Sequence, residues 1–169
     1  MKNSFIAASL CVVSACTMSN PQTAGELRQM AGSSAFISSK SVSVSQSPAA
    51  AARILRSMSR NCFNRVVTTR SVYRVGPTGP QSLTSTIRYT SSVTAKAGQT
   101  TLSVRNKDIG KNVVHVFGTE DGLISLVVDA KPASGGVNLT VTSLAPALRG
   151  NLKAVEKSMA TGKAVCPNN

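Results

Sequence analysis

The chain has 169 residues, enough for one modest domain with some sequence to spare and too few for two ordinary ones. It carries 19 Lys and Arg against 6 Asp and Glu, a formal net charge of +13, and its 41% hydrophobic content includes no Trp and only 4% aromatics. Few acids leave little material for paired general acid–base catalysis, and scattered bases with few aromatics to stack on weigh against nucleic acid, so the charge points to other anionic partners.

At the amino terminus Lys2 supplies a short positive region, and residues 5–13 form an apolar run too short for a permanent bilayer span, the pattern of an export signal. Val13-Ser14-Ala15-Cys16 then resembles the bacterial lipobox: an aliphatic residue, two small residues and the cysteine that lipoprotein-processing enzymes modify. The resemblance implies diacylglycerol transfer to the Cys16 thiol, cleavage between Ala15 and Cys16, and acylation of the new amino terminus with palmitate-type chains. Each buried methylene contributes roughly 0.8 kcal/mol, so two or three chains make a firm anchor. Thr17 stands where Asp marks inner-membrane retention in the general lipoprotein pattern, which implies the outer membrane, facing the periplasm. The plainer alternative is a secretory signal cleaved after Ala15, with Cys16 incidental. Residues 1–15 contain Lys2 and no acid, so the exported chain stays strongly basic. In that compartment the charge favours anionic phospholipid, lipopolysaccharide phosphates, peptidoglycan or an envelope protein.

Cys11 leaves with the signal and Cys16 is committed to lipid, so Cys62 and Cys166 remain as a disulfide pair in an oxidising compartment. Zinc or nucleophilic chemistry would need further His or Cys, and the single histidine is His115, in the apolar strand-like stretch 113–117.

Residues 16–34 hold Pro21, Gly25, Gly32 and several Ser without sustained periodicity, and read as a flexible tether to a domain spanning 35–169. Val42 and Val44 alternate with serines, predicting a short edge strand within 35–45. Ser47-Pro48 then starts a helix to about Asn61, with Ser as cap and Pro in the first turn. Ala51, Ile54, Leu55, Met58 and Cys62 share its apolar side, while Arg53, Arg56 and Arg60 line the other; these three are candidate anion contacts, or simply a solvated face.

From 65 to 143 the sequence turns β-branched and alternating, broken at Gly76-Pro77-Thr78-Gly79-Pro80, Ala97-Gly98, Asp108-Ile109-Gly110, Asp121-Gly122 and Ser134-Gly135-Gly136. About six antiparallel strands fit, most simply as a meander, with residues 123–128 the most buried. Glu120-Asp121 reads as a turn rather than an acid pair. Residues 145–160 return to helical spacing with Leu148, Leu152, Val155 and Met159 inward, Arg149, Lys153 and Lys157 outward, and Gly162 as the stop.

The expected fold is therefore α+β: an antiparallel sheet of six to seven strands with two helices packed on one face. That order loosely resembles the helix-grip architecture of START-like domains, a likeness that implies room for an apolar ligand between sheet and C-terminal helix and a carrier or chaperone role as the alternative function. Ser47-Pro48, Cys62 and Cys166-Pro167 also resemble a pattern in small Gram-negative outer-membrane lipoproteins of unassigned role. No phosphate-binding loop, metal cluster or catalytic triad is legible. The expectation is a lipid-anchored envelope protein without enzymatic activity, cofactor or metal.

Overall fold

The computed structural model describes residues 20–74, 80–110 and 121–167. Residues 1–19, with the expected signal and Cys16, residues 76–79 of the first turn cluster, and the stretch 111–120 with His115 and Glu120 lie outside them. Elements follow the order α1 (Ala24–Met30), β1 (Ile37–Val44), α2 (Pro48–Cys62), β2 (Arg65–Arg74), β3 (Pro80–Lys96), β4 (Gln99–Asp108), β5 (Leu123–Ala133), β6 (Gly136–Leu144) and α3 (Ala145–Thr161). The strands form one open antiparallel sheet, β1-β6-β5-β4-β3-β2, in which β2 to β6 are a meander and β1 closes on the last strand.

Ser47 Oγ accepts from Ala50 N–H at 3.2 Å, and Pro48 occupies the first turn of α2, where its missing N–H goes unnoticed. The face read from helical spacing is the buried one: Ala51, Ile54, Leu55, Met58 and Cys62 press on Leu102, Val104, Leu126, Val128 and Ala130 of the sheet. A fully buried Leu or Ile contributes about 1.5–3 kcal/mol, so this stripe outweighs the modest helix propensity of its serines. α3 lies beside α2 on the same sheet face, over β6 and β1, with Leu152, Val155 and Met159 buried. Gly162, in the left-handed conformation at φ 69°, ends it.

Among the described residues six strands stand where six to seven were expected, and three helices where two were. The extra helix, α1, falls inside 16–34, read as flexible tether, and lies on the opposite sheet face. Its signal is Thr23-Ala24-Gly25-Glu26: Thr23 Oγ1 accepts from Glu26 N–H at 3.2 Å, and Glu26 Oε2 reaches back to Gln22 N–H at 2.6 Å. Seven residues cannot hold a helix alone. Leu27 secures it, fully buried against Ile37, Ile124 and Val127.

A bulge makes that second contact. Val104 faces Leu126 but Arg105 faces Ile124, so Ser125 is the extra residue. The slip turns Ile124 to the α1 side, whereas Leu126 and Val128 stay with the main core. Apart from α1, the outer face is hydroxyl-rich, with cross-strand pairs Ser39–Thr142, Ser41–Thr140, Thr68–Thr86 and Ser92–Ser103 hydrogen-bonded at 2.9–3.3 Å. At its far end the β2–β3 pair runs on past the described part of β4, from the Thr68–Thr86 register to Arg74–Pro80, as a ribbon of two strands among the described residues.

Candidate functional site

Pro21 holds the amino-terminal end of the described residues to the sheet. This residue is buried, and its carbonyl accepts from Ile124 N–H at 2.8 Å, continuing the edge of β5 beyond the reach of β6. Arg105 clamps the next residue, donating to Gln22 O at 2.6 Å and Gln22 Oε1 at 3.1 Å, while also holding the Asp121 carbonyl at 3.2 Å. Gln22 Nε2 donates to Gly122 O at 3.0 Å. An open hollow of about 330 Å³ lies beside this clasp, its floor formed by Thr90, Ser92, Ser103 and Arg105.

One turn further along α1, Arg28 grips Asp129 with two hydrogen bonds of 2.7 Å, and Thr101 and Gln99 donate to the same carboxylate. Burial pushes the Asp129 pKa up, but the hydrogen bonds from Arg28, Thr101 and Gln99, with Arg28's charge, outweigh it and hold the carboxyl below its ordinary 3.8. Arg28 is held correspondingly higher, chiefly by the hydrogen bond from its guanidinium to Asp129. A carboxyl with a depressed folded pKa stabilises the fold above the unfolded value and loses that contribution as pH falls through the folded one. Arg28→Met is therefore expected to lower unfolding free energy at neutral pH by about 1–3 kcal/mol. Its deficit against the wild type narrows as pH falls below 3.8, which urea titrations at neutral and acid pH would measure.

The remaining cations divide between two sides of the domain. Arg53, Arg56 and Arg60 are exposed on α2 and are joined on the same layer by exposed Arg149, Lys153 and Lys157 of α3. The structure thus brings the three candidate anion-contacting arginines beside a second basic helix. The outer sheet face carries another set, which sequence reasoning missed. Tyr89 and Val104 pack toward the main core, so their neighbours Arg88 and Arg105 point the other way. In register, Val66, Arg88 and Lys107 stand side by side across three strands, and Arg70, opposite Thr84, lies two rows further out on the ribbon. Arg70, Arg88 and Lys107 are all exposed. Among the described residues the salt bridge present is Arg28–Asp129, so none of these cations is ion-paired with another described residue.

Cys62 and Cys166 have their sulfurs 2.10 Å apart, at disulfide distance, with Cα atoms 5.1 Å apart. The pair joins the end of α2 to the segment after α3. Beside it a cavity of about 140 Å³ opens between sheet and helices, lined in part by Phe63, Arg65, Tyr89, Asn106 and Asn151. Ligand pockets usually run to about 300–1,000 Å³. Asn106 Oδ1 is buried there without a hydrogen-bond partner among the described residues, and an acyl chain would leave it against hydrocarbon. Among the described residues no three His, Cys, Asp or Glu cluster closely enough to hold a metal, and no helix is long and apolar enough to cross a membrane.

A scan against protein-family models finds no match to the chain, and a search of curated proteins finds none either.

Proposed function

We propose that the chain is a lipoprotein precursor whose mature form is anchored through Cys16 in the outer membrane, facing the periplasm. There its basic domain binds anionic envelope components, phospholipid, lipopolysaccharide or peptidoglycan, or an envelope protein, without catalysing a reaction. The observation that carries the reading is Val13-Ser14-Ala15-Cys16 directly after a short apolar run. The cations exposed on both sides of the sheet, none of them ion-paired with another described residue, support the anionic partner, since they remain available to an external counter-ion. The carrier reading draws less support: the cavity is small and presents an unpaired carbonyl oxygen.

Intact mass spectrometry of protein purified from its native membrane, beside a Cys16→Ser variant, tests the anchor. The expected mass lacks residues 1–15 and carries acyl chains that the variant does not. An unlipidated native mass would return Cys16 to the status of an incidental residue after a secretory signal.

A further inference from the structure

We infer that the anchored domain lies with the outer-face end of its sheet on the lipid headgroups, Arg70, Arg88 and Lys107 contacting their phosphates. The basic α2–α3 layer is then turned away from that membrane. This rests on the lipid anchor proposed above and adds the orientation that the anchor favours.

The leash is short. From Cys16 to Pro21 there are five residue steps, a reach of at most about 18 Å even when fully extended. Pro21 is not free to extend it, because its carbonyl is held by Ile124 N–H and Gln22 by Arg105. A domain of this size is about 40 Å across, so the surface around Pro21 must stay near the bilayer. Arg105 stands opposite Ile124, and Lys107 follows two residues along β4, about 7 Å further toward the same end of the sheet. The ribbon bearing Arg70 projects from that end as well. The solvent side of α2 and α3 lies beyond the other sheet face by a helix layer about 10–12 Å thick, so laying it on the bilayer would use most of the leash's reach, whereas the end bearing Lys107 needs little of it.

Charge points the same way. Arg88 and Lys107 are direct cross-strand neighbours, and like charges so placed repel unless an anion intervenes. No acid of the described residues forms an ion pair with either. A layer of lipid phosphates supplies many anions in one plane, matching cations distributed along one sheet end rather than gathered in a pocket.

The test is amine footprinting of the full lipidated protein, reconstituted into phosphatidylcholine vesicles with and without phosphatidylglycerol. Acetic anhydride labelling is read by mass spectrometry at each lysine. Lys96 and Lys131, exposed at the opposite end of the strands, and Lys153 and Lys157 on α3, are internal references. The expected result is labelling of Lys107 slowed about fivefold by the anionic lipid, with the references unchanged. High salt, or Arg70→Gln with Arg88→Gln, should reverse it, the salt arm needing no variant to fold. Equal labelling of Lys107 in both vesicles, or protection of Lys153 and Lys157 instead, would overturn the orientation while leaving the anchor intact. A native mass without acyl chains would remove the anchor itself and the orientation with it.

Discussion

Reduction of the Cys62–Cys166 pair is expected to lower the unfolding free energy by about 4–5 kcal/mol. The bond would close a loop with sequence separation 104, which takes in the whole meander and α3, so it restricts most of the unfolded chain. On the folded side Cys62 is buried at the end of α2 and Cys166 packs against the main core, so the link ties the two helices of one layer. Against a typical domain stability of about 5–15 kcal/mol this is a third or more of the total. Urea unfolding with and without reductant should show a large shift in midpoint, and the Cys62→Ala, Cys166→Ala double variant should match the reduced protein. Coincident oxidised and reduced curves would show that the cysteines, although at bonding distance, do not stabilise the native state.

Gly122→Ala should cost about 3 kcal/mol and loosen the amino-terminal clasp. Gly122 has φ +76°, where an L side chain is strained, and a Cβ there would run into the Asn106 carbonyl oxygen. Since the obstacle is backbone of the neighbouring strand, the turn into β5 must shift. With it moves the Gly122 carbonyl, which accepts from Gln22 and Arg105. The variant is expected to show both a lower urea midpoint and faster hydrogen exchange at Ile124 N–H, the donor to Pro21. A lower midpoint with Ile124 exchange unchanged would mean that the clasp does not depend on this turn.

Much of the architecture is legible locally. Ser47 and Pro48 specify the start of α2, and the spacing of Ile54, Leu55, Met58 and Cys62 specifies its buried face, because a side chain's direction on a helix follows from its position alone. The turns at Ala97-Gly98, Asp121-Gly122 and Ser134-Gly135-Gly136 delimit strands whose alternation already implies an antiparallel sheet with one wetter face. The exposure of Arg53, Arg56 and Arg60 follows from the same helical geometry.

The amino-terminal segment is different. Thr23 and Glu26 carry a capping signal, but a seven-residue helix exists only because Leu27 finds Ile124 and Val127 and Arg28 finds Asp129, about a hundred residues away. Ile124 itself faces α1 only because the bulge at Ser125 shifts its register, and alternation read from the sequence places it with Leu126 instead. What the sequence by itself determined is the run of elements from β1 to α3, the apolar faces of α2 and α3, the cysteine pair and the excess of positive charge. The tertiary structure alone decided where that charge gathers and where the segment around Pro21 and Gln22 docks. Arg70, Arg88 and Lys107 sit on three strands, and strand register is a long-range property that no local spacing encodes.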